Sequence, residues 1–103
     1  MDLLVSWKNR PGASTEENEA SAKRGLQLFS KWSPPEGAVF KQFLTRLDGD
    51  GGYALVSADD PKLILDSSVK FGPMFEFSVV PVMDIMEAVP VFNEAIEWWE
   101  SIS

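Results

Sequence analysis

The amino-acid sequence predicts an α+β fold, in which a four-stranded antiparallel sheet carries helices on one of its faces. Strand-like stretches of alternating apolar and polar residues are interleaved with stretches of helical periodicity in the order βαββαβ. Two split right-handed βαβ units of this kind build one sheet with a helical layer on one side. The last strand, residues 75–82, has apolar residues on both faces, so both of its faces need to be covered.

The chain begins with a predicted strand over residues 3–8, where apolar and polar side chains alternate. Residues 9–12, Asn-Arg-Pro-Gly, end this strand. A capping box then starts the first helix, with Ser14 as the N-cap and Glu17 reaching back towards it. Helical spacing of the apolar residues continues to about Trp32.

Two further strands are predicted over residues 38–47 and residues 53–58. The five residues between them, Asp-Gly-Asp-Gly-Gly, are typical of a hairpin turn that needs positive φ angles. In the first of these strands, strict alternation predicts two faces: Val39, Phe43 and Leu47 on one, and Phe40, Gln42, Leu44 and Arg46 on the other.

Asp60 is the predicted cap of the second helix, with Pro61 at its first position and Gly72 at its end. In the following strand Pro81 has no backbone N–H group to donate, which predicts that this strand lies at an edge of the sheet. A ferredoxin-like βαββαβ arrangement also places its last strand at an edge. The two arguments are independent and agree.

A carboxy-terminal helix follows the four strands. Residues 84–88 are predicted to form a single turn, and Pro90 is predicted to start or kink a helix that reaches Ile102. Trp98 and Trp99 point about 100° apart on such a helix, so both are difficult to bury within one chain. We expect one of them to contact a partner subunit or to be partly exposed.

Composition limits the functions that the chain can have. Its 103 residues are expected to form one domain (residues 1–103), and a net charge of −7 disfavours binding to nucleic-acid phosphates. Cysteine and histidine are absent, which excludes disulfides, zinc–thiolate sites, cysteine nucleophiles and histidine-dependent catalysis. We find neither a run of ~20 apolar residues that could span a membrane nor a signal peptide. The expectation is a cytoplasmic protein with no cofactor, no metal and no nucleic-acid or membrane partner.

Three stretches of the chain are distinctive: Leu-Val-Ser-Trp-Lys at residues 4–8, Gly-Tyr-Ala-Leu-Val-Ser-Ala-Asp-Asp at residues 52–60, and Phe-Glu-Phe-Ser-Val-Val-Pro-Val at residues 75–82. Together they resemble a small bacterial family, the domain of unknown function 3303. This family is similar to the dimeric α+β barrel superfamily, in which two ferredoxin-like sheets pack face to face. The resemblance therefore implies a homodimer. It implies no activity, because superfamily members range from cofactor-independent monooxygenases and isomerases to haem-handling enzymes and stress proteins.

Polar residues of the predicted strands form a candidate ligand site facing the partner. They are Ser6, Gln42, Arg46, Tyr53, Ser57, Glu76 and Ser78. In one interpretation an Arg46–Glu76 pair or the Tyr53 hydroxyl orients a small, partly apolar ligand in a pocket between the sheets. In the other, these groups satisfy one another across the dimer interface or lie near solvent.

Glu76 is the most specific candidate for a functional residue, since a carboxylate between apolar neighbours can serve as a general base. It can equally pair with Arg46 or Lys8 as an ordinary ion. Asp48, Asp50 and Asp59 have a partial calcium-loop spacing, but a solvated hairpin turn explains them better.

The aromatic residues Trp32, Phe92, Trp98 and Trp99 are explained by packing of helices on the sheet more simply than by a groove for a partner. Three functions remain open, and no catalytic residue can be assigned. The first is a non-catalytic domain that binds a small molecule between two sheets, favoured because no nucleophile–base pair can be assembled. The second is a cofactor-independent monooxygenase or isomerase, and the third is a purely structural dimerisation protein.

Overall fold

The computed structural model describes residues 1–10 and 14–102, in which four strands and three helices follow one another in the predicted order. The elements are β1 (Asp2–Asn9), α1 (Thr15–Lys31), β2 (Ala38–Thr45), β3 (Gly52–Ala58), α2 (Lys62–Phe71), β4 (Phe75–Val82) and α3 (Ile85–Ile102). This confirms the ferredoxin-like α+β fold.

The strands form one antiparallel sheet in the order β2-β3-β1-β4. β4 therefore lies at an edge of the sheet, as its proline predicted. Pro81 is opposite Leu3 of β1, and an edge strand tolerates proline because it forms a ladder on one side only.

One face of the sheet supports α1 and α2 and holds a small hydrophobic core. Leu3 and Val5 of β1 lie opposite Val56 and Ala54 of β3, and all four side chains are buried. Ile64 of α2 packs against them. This contact fixes α2 on the sheet, because burial of apolar area is the main favourable term in folding.

Trp32, which follows the last residue of α1, packs as predicted. Its ring makes edge-to-face contacts with Phe40 of β2 at 5.6 Å and with Phe71 of α2 at 5.9 Å between ring centroids. It also stacks on Phe29 of α1 at 6.0 Å. The aromatic rings therefore join both helices to β2.

A β-bulge at Lys41 changes the phase of β2, and this corrects part of the predicted alternation. The register with β3 shifts between Phe40 and Gln42. Because a bulge inserts one extra residue, side chains before and after it change their relation to the two faces. Phe40 and Phe43 thus both face the helices, and Val39 faces away. The prediction is wrong for Val39 and Phe40.

Side chains accept hydrogen bonds from the backbone near the starts of the first two helices. The Ser14 hydroxyl accepts a hydrogen bond from the backbone N–H of Glu17 at 3.1 Å, which confirms Ser14 as the N-cap. The Asp60 carboxylate accepts a hydrogen bond from the backbone N–H of Lys62 at 3.0 Å. α2 itself begins at Lys62 with Pro61 as its N-cap, so the prediction of Asp60 as the cap and Pro61 as the first helical residue is wrong by one position.

The hairpin between β2 and β3 uses glycine as predicted, because Gly49 and Gly51 have φ angles of +76° and +101°. The turn rests against the end of β1. The Asp50 carboxylate accepts a hydrogen bond from the backbone N–H of Asn9 at 3.3 Å, and the Asn9 side-chain amide donates one to the Gly49 carbonyl at 3.2 Å. These bonds hold the turn close to the β1 backbone.

α3 is one continuous helix that contains Pro90. The predicted separate turn before Pro90 is therefore wrong. Asp84 sets the start of the helix, because its carboxylate accepts a hydrogen bond from the backbone N–H of Met86 at 3.0 Å. Pro90 removes one backbone donor without ending the helix.

α3 projects away from the rest of the molecule. The radius of gyration is 18.2 Å, compared with about 13 Å for a compact chain of this length, and the longest dimension is 61 Å. None of the α3 residues is buried, and Phe92, Trp98 and Trp99 are 57%, 61% and 59% exposed. The prediction that these three residues pack on the sheet is therefore wrong for a single chain. The predicted partial exposure of a tryptophan is confirmed.

Within the described part of the chain, no helix has the length and apolar character that crossing a membrane requires.

Candidate functional site

The face of the sheet opposite α1 and α2 is uncovered in the single chain, and we call it the open face. Its side chains form four rows that run across the strands. The rows are Val39, Ser57, Asp2 and Val82; Gln42, Leu55, Leu4 and Val80; Leu44, Tyr53, Ser6 and Ser78; and Lys8 with Glu76.

The third of these rows brings three hydroxyl groups together. Ser6 lies opposite Tyr53 on one side and opposite Ser78 on the other. Side chains in directly opposite positions have Cβ atoms about 4.5–5.5 Å apart, so one small molecule can reach all three. Each hydroxyl can donate one hydrogen bond and accept others.

Next to the hydroxyl row lies an apolar row. Leu4 is flanked by Leu55 and Val80, and Gln42 ends the row on β2. The middle of the open face therefore combines hydrocarbon surface with hydroxyl and amide groups and carries no formal charge.

Charged side chains occupy the two ends of the open face. At one end the Lys41 ammonium group is 3.0 Å from the Asp2 carboxylate, and this hydrogen bond lowers the pKa of Asp2. At the other end the Arg10 guanidinium group is 4.0 Å from the carboxylate of Glu76, which lies opposite Lys8. Glu76 is half-exposed.

The predicted Arg46–Glu76 pair does not form within the chain. Arg46 lies beyond the end of β2, where its guanidinium group donates a hydrogen bond to the Asp48 carboxylate. β2 and β4 are opposite edges of the sheet, so three strand spacings, about 14 Å, separate them. The sequence could not exclude this pair before the strand order was known.

The structure places the seven predicted polar residues in three regions. Arg46 lies at the hairpin, Ser57 and Glu76 lie at the two charged ends, and the middle of the open face holds Ser6, Gln42, Tyr53 and Ser78. Sequence reasoning overlooked the apolar row beside them. The alternation in β1 contained the signal, because it places Leu4 on the same face as Ser6.

The hairpin uses its own acidic groups for structure. Asp48 accepts hydrogen bonds from the Asp50 backbone N–H, at 3.0 Å, and from Arg46. Asp50 lies 3.9 Å from the Lys8 ammonium group. In residues 1–10 and 14–102 no three acidic side chains are grouped so that they could hold a metal ion.

We expect Asp48 to contribute to stability in a pH-dependent way. The backbone N–H of Asp50 and, secondly, the Arg46 side chain lower the pKa of Asp48. A lowered pKa stabilises the folded state at pH values above the unfolded-state pKa, which is about 3.9 for aspartate. This contribution disappears as the pH falls through the folded-state pKa. Asp48→Asn should therefore lower the melting temperature at pH 7, and the difference from wild type should vanish near pH 2.

Thermal unfolding followed by circular dichroism between pH 7 and pH 2 measures this effect. Asp59→Asn, which changes an exposed carboxylate in the β3–α2 loop, is the matched control and should follow wild type at every pH. A difference in melting temperature between Asp48→Asn and wild type that stays constant down to pH 2 would contradict the stabilising role of the ionised Asp48 carboxylate.

A second concave region lies on the opposite side of the sheet, between α1, α2 and the strands. This helix-side groove has a volume of about 660 Å³ and an apolar lining that includes Trp7, Leu26, Phe29, Phe43 and Phe77. Leu26 of α1 is 71% exposed at its rim.

Comparison with known proteins assigns the chain to a family. The model of the family described as Domain of unknown function (DUF3303) matches residues 1–96. No curated protein matches the chain. The family match includes all four strands, both helices that pack on the sheet and every residue of the open face. The chain therefore belongs to the DUF3303 family, whose function is unknown.

Proposed function

We propose that the protein is a homodimeric, non-catalytic binding domain that holds a small, partly apolar molecule between the open faces of two copies. The observation that carries this proposal is the uncharged middle of the open face, where a row of three hydroxyl groups lies beside an apolar row. Ion pairs occupy only the ends. In this proposal the protein works in the cytoplasm, as the sequence predicts.

The exposed apolar side chains of the open face support a dimer. Leu4, Leu44 and Val80 are 40%, 52% and 48% exposed in the single chain. A contiguous apolar patch of this kind marks an interaction surface, and two identical patches can cover each other around a two-fold axis. The superfamily that this family resembles pairs its sheets in the same way.

The chemistry of the middle rows specifies the class of ligand. A charged ligand would lose its hydration without finding an opposite charge, which disfavours it. A neutral molecule with a flat hydrocarbon body and one or two hydroxyl or carbonyl groups fits both rows. Its hydrocarbon part would contact Leu4 and the ring of Tyr53, and its oxygen atoms would bond to the hydroxyl groups.

The arrangement favours binding over catalysis. Within their row the hydroxyl groups of Ser6, Tyr53 and Ser78 lie beside one another and beside Leu44, and none of these side chains is a base. The carboxylate of Glu76, in the next row, lies near Arg10. A nucleophile needs an adjacent base, which this pattern does not supply.

Equilibrium titration with 2-naphthol, a neutral bicyclic phenol, tests the proposal. Wild type should show saturable binding, and Tyr53→Phe should weaken it about tenfold, because the loss of one hydrogen bond costs about 1–1.5 kcal/mol. Measuring oxygen consumption in the same mixture separates binding from the alternative monooxygenase function. Binding without oxygen consumption is the expected result.

Ser21→Ala, which removes a hydroxyl from an exposed position of α1, is the matched control and should bind 2-naphthol as wild type does. Equal affinity of wild type and Tyr53→Phe for 2-naphthol would show that the hydroxyl row does not bind the ligand. Consumption of oxygen that depends on 2-naphthol would overturn the non-catalytic assignment.

A further inference from the structure

α3 has a broad apolar face for which the single chain provides no cover. Since successive helical residues are about 100° apart, ten of its apolar side chains fall within about 180°, half of the helix circumference, and Met86 and Pro90 lie outside this arc. The ten are Ile85, Ala88, Val89, Val91, Phe92, Ala95, Ile96, Trp98, Trp99 and Ile102. A helix that packs against a single partner helix needs only a narrow stripe, so this width calls for a concave partner.

The opposite side of α3 argues against a membrane as that partner. It carries four glutamates, Glu87, Glu94, Glu97 and Glu100, and α3 contains no lysine or arginine. Helices that lie on membranes have basic residues on their polar side, because lipid surfaces are anionic. The charge pattern therefore favours a protein surface.

The helix-side groove is an apolar, concave surface of the same molecule. α1 and α2 form its walls and the sheet forms its floor. Its rim residues Leu26 and Phe29 are 71% and 48% exposed, although both are apolar. Amphipathic helices bind such grooves through side chains spaced three and four residues apart, as Phe92, Ile96 and Trp99 are.

α3 starts three residues after β4 ends, at the Asp84 cap, and none of its residues lines the groove of its own chain. A second copy of the chain can receive it. Reciprocal exchange of this kind closes a two-fold symmetric dimer.

We propose that α3 is an exchanged arm that lies in the helix-side groove of a second copy of this chain. The proposal rests on the homodimer proposed above and identifies a second contact within it. A helix of 18 residues is about 27 Å long and about 10 Å wide, so its apolar half covers about 400 Å². Two arms in two grooves remove roughly 1,600 Å² from water, within the ~1,200–2,000 Å² of stable interfaces.

Cross-linking of the 103-residue chain tests this arm, because its sequence contains no cysteine. Two single-cysteine variants are mixed, Ile96→Cys on the arm and Leu26→Cys at the rim of the groove, and treated with a short bismaleimide. Both positions are exposed in the single chain, so neither substitution disturbs the core. The control mixture is Glu94→Cys with Arg24→Cys, which lie on the polar side of α3 and on the side of α1 away from the groove.

The expected result is a cross-linked heterodimer at least ten times more abundant in the Ile96→Cys and Leu26→Cys mixture than in the control. Equal yields of cross-linked dimer in the two mixtures would overturn the proposed exchange of α3. A cross-link within one chain of the Ile96→Cys and Leu26→Cys double variant at high dilution would also overturn it. Sedimentation of wild type separates this failure from that of the proposed function. A dimer that lacks the specific cross-link would contradict only the exchange of α3. A monomer would contradict both the exchange and the proposed homodimer.

Discussion

Gly51→Ala should destabilise the fold by about 3 kcal/mol or more, which lowers the melting temperature of a domain of this size by about 15 °C. Gly51 has a φ angle of +101°, and a Cβ atom there would lie 1.8 Å from the carbonyl oxygen of Trp7 and 2.9 Å from the Cα of Lys8. These are backbone atoms of a central strand, so no rotamer change can relieve the clash. Thermal unfolding monitored by circular dichroism measures the loss.

Gly49→Ala is the matched control, since the two glycines belong to the same turn. Gly49 also has a positive φ, +76°, but a Cβ atom there would meet nothing within 4 Å. Gly49→Ala should therefore lose only about 1 kcal/mol of stability, which is the cost of placing a side chain at a positive φ angle. If the two variants lose equal stability, the hairpin does not approach β1 as closely as described.

Leu4→Glu should raise the dissociation constant of the dimer about 100-fold or more. Leu4 lies in the middle of the open face between Leu55 and Val80, so a dimer through this face buries one glutamate from each copy. Each buried, unpaired carboxylate costs more than about 1.4 kcal/mol, and each 1.4 kcal/mol is tenfold in affinity. Leu4 is 40% exposed in the single chain, so the variant still folds.

Sedimentation equilibrium over a range of concentrations measures this constant. Leu47→Glu provides the control, because Leu47 is fully exposed in the hairpin, away from the open face. Its dissociation constant should match that of wild type. A Leu4→Glu dimer as tight as the wild-type dimer would show that the open face is not the interface.

Much of the fold follows from the sequence because local signals agreed with one another. Ser14 caps α1, the two positive-φ glycines form the hairpin, and Pro81 lies in an edge strand. Each of these depends on the conformational preferences of a few neighbouring residues. Such preferences can be read without knowledge of the tertiary structure.

The candidate site was harder to predict, because it depends on strand register and order. The bulge at Lys41 has no local sequence signal, and it reversed the faces of Val39 and Phe40. The Arg46–Glu76 pair does not form within one chain for a related reason, since the two residues belong to opposite edges of the sheet. β1 and β4 have no bulge, so Ser6 and Ser78 share the open face as expected.

The direction of α3 could not be predicted either. Its apolar periodicity says that one side of the helix must be covered, but not by which surface. In one chain α1 and α2 lie on the helix side of the sheet and leave the helix-side groove between them, and α3 runs outwards from Asp84. A second copy would cover three surfaces: the apolar side of α3, the helix-side groove and the open face.

The mass of the wild-type protein in solution tests the central claim most directly. Sedimentation equilibrium at micromolar concentration should give twice the chain mass of 11.5 kDa, because the open face requires a second copy to enclose a ligand. A stable monomer at that concentration would contradict the proposed homodimer and, with it, a ligand site formed between two sheets.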